Sequence, residues 1–240
     1  MPGWRGKIGV LYPSAGLAEE EFAKLAPEGV SIHITRMKMR HGDLDQIRQM
    51  INRVEEAASL LADAGVDIIL FNCTLGSLIE GPGLDKRLSR KLTRLTGIPT
   101  TTTTTAVLKA MESLGMRRII LLAPYPEDLL ELEVDFLKEA GLEVIHYRGL
   151  GVSDPHKQVD IDPGIWYRLS KELVVTSGNV EGIFISCAGI LVVDMIHRIE
   201  KDLNLPVVTS NQGAMWECLR QLKIRAPQGS YGMLFSSTSY

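Results

Sequence analysis

Residues 68–77 read Ile-Ile-Leu-Phe-Asn-Cys-Thr-Leu-Gly-Ser, an apolar run that ends abruptly at Cys73. Residues 183–189 read Ile-Phe-Ile-Ser-Cys-Ala-Gly and reach Cys187 in the same way. Short runs that are apolar nearly throughout are typical of strands in a parallel sheet covered on both faces. The two stretches therefore predict two buried strands, each with a thiol at its carboxyl end.

These stretches belong to an internal repeat that covers most of the chain. In both halves the same elements follow one another in the same order, and the two cysteines fall at equivalent points. The matching segments are 7–16 with 117–126, 29–35 with 141–147, 65–74 with 180–189, and 97–112 with 204–219.

The alternation of strands and helices predicts an α/β protein with right-handed crossovers. We expect two pseudo-symmetric, doubly wound, flavodoxin-like halves, each with a parallel sheet of four strands. The first domain is predicted to comprise residues 1–103 plus 210–240, and the second residues 104–209. Ligands of such sheets bind beyond the carboxyl ends of the strands, so Cys73 and Cys187 are expected to face one cleft between the halves.

Composition excludes several classes of function. The chain has 240 residues, of which 45% are hydrophobic, and a net charge of −3. This charge does not favour nucleic acid or an anionic membrane as a partner. No apolar segment approaches the roughly 18 residues of a membrane-spanning helix. Residues 1–6 lack the apolar core of a signal peptide, so we expect a cytoplasmic protein.

Three cysteines at wide spacing indicate free thiols and not a disulfide framework. Cys218 lies in an apolar helical pattern with Trp216 and is interpreted as a packing residue. Cys73 and Cys187 could also be buried structural thiols. Their equivalent positions in the repeat favour a shared chemical role.

A thiol at the end of a strand, just before a helix, gains from backbone N–H groups and from the helix dipole, which favour the thiolate. The N–H groups after each cysteine can bind a carboxylate or an enolate oxygen. Two thiols on opposite sides of a substrate allow proton removal on one face and return on the other. One thiol can also add to an activated double bond. Neither reaction requires a metal or an organic cofactor.

Other candidate sites are weaker. No Cys-x-x-Cys or His-x-x-x-His spacing occurs, so no metal site is expected. The run of threonines at 100–105 is either a strand end with Thr105 as the helix cap or a set of hydroxyls in the pocket. His156 is interpreted as facing solvent, with a catalytic role as the alternative. Tyr125 either packs in a turn or binds a carboxylate.

Several of these motifs together resemble the aspartate/glutamate racemase superfamily, and within it the branch of maleate cis–trans isomerases and arylmalonate decarboxylases. The resemblance extends over nearly the whole chain. The matching motifs are Pro13-Ser14-Ala15-Gly16, Cys73-Thr74 with Gly81-Pro82-Gly83, Ile98-Pro99-Thr100-Thr101, Ala123-Pro124-Tyr125, Ser186-Cys187-Ala188-Gly189, Thr209-Ser210-Asn211-Gln212 with Trp216, and Gly232 with Leu234.

The resemblance implies cofactor-independent chemistry on a small mono- or dicarboxylate, and a homo-oligomer. By analogy with the maleate isomerases, Cys73 is the nucleophile that adds to the double bond and Cys187 supplies or removes the proton. Thr74 and Tyr125 match decarboxylase residues that hold a carboxylate or enolate. The candidate substrate-binding residues are Ser14, Gly16, Thr74, Leu75, Tyr125, Ala188 and Gly189.

The chain departs from both branches. Maleate isomerases usually carry asparagine at the position of Gly16 and another near residues 154–156. The decarboxylase has glycine at the position of Cys73 and serine at that of Leu75. We therefore expect first an isomerase similar to maleate isomerase, with Cys73 and Cys187 catalytic. The alternatives are a two-cysteine racemase of an amino or 2-substituted acid, an arylmalonate-type decarboxylase with Cys187 as proton donor, and a non-catalytic carboxylate-binding protein.

Overall fold

The structure is a computed structural model that describes residues 3–227 and 231–236. Its described part contains two four-stranded parallel sheets with helices between the strands. The first sheet has the order β2-β1-β3-β4 and the second the order β6-β5-β7-β8, so the two sheets share one topology. The predicted pair of doubly wound, pseudo-symmetric halves is confirmed.

Strands β3 and β7, which precede the two cysteines, are buried along their whole length because helices cover both faces of each sheet. The strands are β1 (Gly6–Pro13), β2 (Val30–Met37), β3 (Ile68–Phe71), β4 (Thr100–Thr102), β5 (Arg118–Ala123), β6 (Glu143–Gly149), β7 (Gly182–Ile185) and β8 (Val207–Thr209).

The helices connect successive strands, and a 3-10 turn over Val193–Met195 precedes α10. The helices are α1 (Glu20–Leu25), α2 (Leu44–Ile51), α3 (Val54–Asp63), α4 (Thr74–Leu78), α5 (Leu84–Thr96), α6 (Thr103–Ser113), α7 (Glu127–Glu139), α8 (Pro155–Gln158), α9 (Gly164–Ser177), α10 (Ile196–Leu203), α11 (Ser210–Gln221) and α12 (Met233–Ser236).

Helices α6 and α11, which follow the last strand of each half, pack against each other. Helix α11 also contacts α1, β3 and β4, and α6 also contacts β8. The two halves thus exchange contacts through equivalent helices. The division into residues 1–103 plus 210–240 and residues 104–209 stays a prediction. Of these, residues 1–2, 228–230 and 237–240 lie outside the described part.

Three local predictions are wrong. Apolar residues recur at helical spacing from Leu44 to Leu61, which predicts one helix that is capped by Asp43 and reaches Ala64. The structure has two helices there, because Arg53 leaves the helical region with φ −109° and ψ 7°. The break falls at exposed polar residues, where packing does not enforce a regular helix, so the apolar periodicity does not reveal it. The sequence also predicts loops at 73–83 and 149–163, where turn-forming and polar residues interrupt the apolar pattern. The structure has the short helix α4 in the first segment and α8 in the second.

The threonine run caps its helix earlier than predicted. Thr102, and not Thr105, is the N-cap of α6, and its hydroxyl accepts the N–H of Thr105 at 3.2 Å. Thr209 caps α11 in the same way, accepting the N–H of Gln212 at 3.2 Å. The repeat therefore extends to the capping hydroxyls.

Among the described residues, none of the helices combines the length and apolar character needed to cross a membrane.

Candidate active site

One pocket lies between the halves, where β1, β3, β5 and β7 end. It has an empty volume of about 530 Å³, which includes its opening to solvent. Both predicted catalytic cysteines face it. Its lining residues are Tyr12, Pro13, Gly16, Met39, Gly42, Ile47, Cys73, Thr74, Leu75, Tyr125, Leu129, Ser153, Pro155, Gln158, Cys187, Ala188 and Gly189.

Cys73 is the N-cap residue of α4 and is 8% exposed. Burial raises the pKa of the Cys73 thiol to about 11, against a smaller lowering by a hydrogen bond from the Gly76 N–H. The Gly76 N–H is the backbone donor near the sulfur, although the resting thiol makes no capping hydrogen bond in α4. Its effect is smaller than the cost of removing a thiolate from water, so the protonated thiol is favoured overall.

Cys187 lies just beyond β7 in an uncommon backbone conformation, with φ +121°. A non-glycine residue pays about 1–3 kcal/mol for such a conformation, which persists where surrounding contacts enforce it. One such contact is the hydrogen bond from the Cys187 N–H to Ser210 Oγ, at 3.0 Å. The direction of the Cys187 side chain is therefore set by the backbone conformation as well as by the side-chain rotamer.

The Cys187 thiol has both donors and an acceptor around it. Burial raises its pKa to about 12, while hydrogen bonds from the Tyr125 hydroxyl and the Gly189 N–H lower it in part. The Gly189 nitrogen lies 3.2 Å from Sγ, and Sγ donates to Gln158 Oε1 at 3.4 Å. A negative charge on Cys73 also raises the pKa of Cys187, so the two thiols are electrostatically coupled. Both thiols are protonated at rest near neutral pH.

Ser210 connects the strained cysteine to the other half of the pocket. Its hydroxyl accepts the Cys187 N–H and lies 3.0 Å from Thr74 Oγ1. If Ser210 donates to Thr74, both hydroxyls are satisfied and the Thr74 hydrogen can point into the pocket. In that arrangement Thr74 is a hydrogen-bond donor available to a substrate oxygen, and its role in substrate binding stays a prediction.

Tyr12, at the end of β1, orients the peptide group after Cys187. Its hydroxyl donates to the Ala188 carbonyl at 2.8 Å and accepts the Ala18 N–H at 3.2 Å. The Ala188 carbonyl and the Gly189 N–H belong to one planar peptide and point in opposite directions. Holding the carbonyl toward Tyr12 therefore turns the Gly189 N–H toward Cys187 Sγ.

A chain of buried amides supports the same peptide from behind. Asn211 Nδ2 donates to the Ala188 carbonyl at 3.2 Å and to Glu21 Oε2 at 2.8 Å. Asn72, which precedes Cys73, donates to Asn211 Oδ1 at 3.1 Å. The residues next to the two cysteines are thus linked by hydrogen bonds across the halves.

Glu133 on α7 is a buried carboxyl behind Cys187. It accepts a hydrogen bond from Ser186 Oγ at 2.6 Å, and burial raises its pKa to about 7. Its second oxygen has no hydrogen-bond partner among the described residues. A charge on Glu133 also raises the pKa of Cys187, so this carboxyl contributes to the electrostatics of the site.

The structure brings eight of the nine predicted site residues to the pocket wall and leaves Ser14 outside it. Ser14 is exposed, and its hydroxyl donates to the Met39 carbonyl and accepts the Met39 N–H, both at 3.0 Å. Ser14 thereby supports the wall residue Met39. A direct contact of Ser14 with substrate stays a prediction.

Three other features singled out in the sequence lie away from the pocket. The threonines of the run are not lining residues. Most of their hydroxyls donate hydrogen bonds inside the protein, for example Thr103 to Asn72 Oδ1 at 2.8 Å, whereas the buried Thr101 hydroxyl has no partner among the described residues. His156 is exposed outside the wall. Cys218 is buried within α11, and burial raises its pKa.

Sequence reasoning missed Tyr12, Gln158 and Glu133. Tyr12 directly precedes the Pro13–Gly16 motif, so its place at a strand end was a usable signal. Gln158 and Glu133 had none, because each reaches the site from a helix remote in sequence. Among the described residues, no three His, Cys, Asp or Glu side chains come together as a set of metal ligands.

The rest of the wall is apolar, and no arginine, lysine or histidine is among the lining residues. Tyr125 and Gln158 contact Cys187, and Thr74 follows Cys73, so these polar groups lie beside the two thiols. Side-chain space is also restricted at Gly16, where a Cβ would lie 2.6 Å from Cε1 of the Tyr12 ring. The apolar lining residues are Pro13, Met39, Ile47, Leu75, Leu129 and Pro155.

Two equivalent parallel α/β halves that each present a cysteine to one pocket define a protein of the aspartate/glutamate racemase-like class. The family model for arylmalonate decarboxylase matches residues 8–235, and the chain belongs to this family. The branch also includes the maleate isomerases.

Three relatives illustrate the similarity. Arylmalonate decarboxylase of Bordetella bronchiseptica is 27% identical over 95% of each chain. Maleate isomerase of Geobacillus stearothermophilus is 23% identical over 96% of this chain and 97% of its own. The crystal structure of a variant of the maleate isomerase Iso from Pseudomonas putida S16 with maleate is 25% identical. It superimposes with a TM-score of 0.90 over 97% of this chain and 98% of its own. These relatives are enzymes, an isomerase or a decarboxylase in each case.

Proposed function

We propose that this protein is a cofactor-independent isomerase of a small carboxylic acid, similar in its chemistry to maleate cis–trans isomerase. Cys73 is the nucleophile and Cys187 the acid and base. The observation that carries the proposal is the pair of free thiols in one pocket, each on an equivalent strand end and coupled in charge. The relative from P. putida S16 that was crystallised with maleate supports it.

The mechanism begins with a carboxylate bound at the polar end of the pocket. The Thr74 hydroxyl is a donor there, and the Tyr125 hydroxyl and the Gly189 N–H, which face the Cys187 sulfur at rest, are two further donors beside it. The substrate's charge is then met by dipoles instead of a cation. These groups are held by the fold before substrate arrives, which limits the reorganisation needed during the reaction.

Covalent addition then removes the double bond. Cys73 loses its proton to solvent, and its sulfur forms a bond to one alkene carbon. Cys187 gives its proton to the other carbon and keeps the electron pair of the broken S–H bond as a thiolate. Rotation about the new single bond follows. Return of the proton to Cys187 and loss of the Cys73 sulfur regenerate the double bond in the trans form.

A second candidate is a two-thiol racemase of a 2-substituted acid. The apolar wall without cationic side chains favours it, because a substrate with one carboxylate and an apolar substituent matches one polar end and one apolar end. One thiolate removes the α-proton and the opposite thiol returns a proton to the other face. An amino acid fits this wall less well, since no acidic lining residue is present for its ammonium group.

Incubation in D₂O separates these reactions. Maleate, single enantiomers of 2-aryl acids and of amino acids, and 2-substituted malonates are supplied in turn. Isomerisation gives fumarate without carbon dioxide, and racemisation gives both enantiomers with deuterium at the α-carbon. An arylmalonate-type decarboxylase with Cys187 as proton donor releases carbon dioxide. A non-catalytic carboxylate-binding protein is stabilised by ligand without turnover, and that result would overturn the proposal.

The homo-oligomer and the cytoplasmic location expected from the sequence stay predictions.

A further inference from the structure

Gln158 holds a fixed amide against Cys187. The residue closes α8 and is 6% exposed. Its Nε2 donates to the Val152 carbonyl at 3.0 Å, which leaves Oε1 facing the sulfur at 3.4 Å. An amide oxygen only accepts hydrogen bonds, so this contact requires the Cys187 sulfur to carry its proton.

The space around the Gln158 amide oxygen is limited by the backbone at Gly189. A Cβ at Gly189 would lie 3.0 Å from Gln158 Oε1 and 3.5 Å from Cys187 Sγ. Glycine at this position leaves room for the amide oxygen and the sulfur together. The contact is therefore built from both the second-half loop and α8.

The two thiols differ in the hydrogen-bonding groups that surround them. At Cys73 the nearby Gly76 N–H favours the thiolate, and the resting sulfur makes no capping hydrogen bond in α4. Cys187 has donors from Tyr125 and Gly189 and, in addition, the Gln158 acceptor. An acceptor stabilises only the protonated form, which makes the otherwise equivalent thiols unequal.

We propose that Gln158 is a positioning residue that keeps Cys187 protonated and directs its S–H, so that Cys187 starts the reaction as the proton donor. The assignment of Cys73 as the complementary nucleophile or base rests on the proposed function above. When the proton passes to a substrate carbon, the S–H electron pair stays on sulfur. Oε1 then faces a thiolate, a repulsive contact that favours return of a proton.

The titratable groups that face Cys187 come from four elements or their ends. Tyr12 is on β1, Cys73 follows β3, Tyr125 follows β5, and Glu133 is on α7. These groups are unchanged in variants at position 158. A difference between such variants therefore reports on the side chain at that position.

Alkylation by iodoacetamide tests the proposal without any substrate, because only the thiolate reacts. The rate at each cysteine is followed by peptide mass spectrometry between about pH 8 and pH 10, where a carboxyl is ionised. Gln158→Met removes the acceptor at similar length, and Cys187 should react about three to ten times faster. Gln158→Glu places a negative charge there, and Cys187 should react more slowly by a similar factor.

Cys73 should change by less than about twofold in Gln158→Met, because no bond to it is altered. In Gln158→Glu it should slow less than Cys187, because the new charge lies against the Cys187 sulfur. Gln49→Met, an exposed change on α2, is the matched control and should leave both rates at the wild-type value. Faster alkylation of both thiols in both variants would mean that the substitutions have only loosened the pocket. An unchanged Cys187 rate in Gln158→Met would mean that the hydrogen bond from Cys187 to Gln158 does not stabilise the protonated thiol. Either result overturns the proposal. If alkylation follows the expectation but the D₂O assay shows no turnover, the proposed function alone fails.

Discussion

The Tyr12 hydroxyl donates a hydrogen bond to the Ala188 carbonyl at 2.8 Å, across the pocket and between residues 176 positions apart. Tyr12 belongs to the first sheet, and Ala188 directly follows the second-half cysteine. This bond joins the halves and sets the direction of the Gly189 N–H at Cys187 Sγ. The same tyrosine ring fills the space beside Gly16.

Tyr12→Phe should destabilise the protein by about 1–3 kcal/mol, because the buried Ala18 N–H loses its acceptor and the Ala188 carbonyl loses a donor. Equilibrium urea unfolding measures the change. Tyr167→Phe is the control, since that hydroxyl donates to Asp202 at the surface and its loss should cost less than about 0.5 kcal/mol. Equal losses in the two variants would contradict a special role for the Tyr12 bond.

Gly16→Ala should destabilise the protein by about 1–3 kcal/mol, because the new Cβ meets the Tyr12 ring at 2.6 Å. In a Tyr12→Leu background the same change should cost less, since the ring is gone. A double-mutant cycle from urea unfolding gives the coupling energy between the two positions. A coupling energy near zero would show that the ring does not limit the space at Gly16.

Glu133→Gln should flatten the pH dependence of stability. Burial raises the pKa of Glu133 from 4.5 to about 7, so the native state keeps a proton that the unfolded chain releases. The contribution of Glu133 to the free energy of unfolding is largest below about pH 4.5. It decreases by up to about 3 kcal/mol as the pH rises to about 7. Urea unfolding at about pH 5 and about pH 7.5 should show a larger fall for wild type than for the variant. An equal decrease in the free energy of unfolding in wild type and variant would show that Glu133 does not cause the pH dependence.

Cys73→Ser and Cys187→Ser should each lower turnover of the substrate identified in D₂O by at least about 100-fold. A hydroxyl is a far weaker acid and nucleophile than a thiol, while the shape of the pocket is retained. Cys218→Ala should stay near the wild-type rate, because Cys218 lies inside α11 and away from the pocket. Full activity of Cys73→Ser would exclude the paired-thiol mechanism.

Gly42→Ala should open the pocket. A Cβ at Gly42 would lie 2.6 Å from the Ser153 carbonyl oxygen, and a backbone atom cannot turn aside as a side chain can. The two loops meet at the pocket wall, so their separation should speed iodoacetamide alkylation of Cys73 and Cys187 alike. Ser153→Ala alters the same loop without adding an atom at position 42, and it should leave both rates unchanged. Unchanged alkylation rates in Gly42→Ala would show that iodoacetamide does not reach the thiols between these two loops.

The sequence by itself determined the architecture and the place of the two cysteines. Apolar strands alternate with amphipathic helices, and this pattern arises locally from side-chain periodicity. The repeat then placed Cys73 and Cys187 at equivalent strand ends, which meet at one side of parallel sheets. The break between α2 and α3 was not predictable, because the apolar spacing continues through it.

Only the tertiary structure decided the protonation state and the orientation of the two thiols. The sequence showed the backbone donors but not the burial, and burial outweighs them at both cysteines. Desolvation depends on every segment that covers a group, and those segments come from all parts of the chain. Tyr12 and Gln158 act on Cys187 for the same reason, since each reaches it through folding and not through sequence spacing.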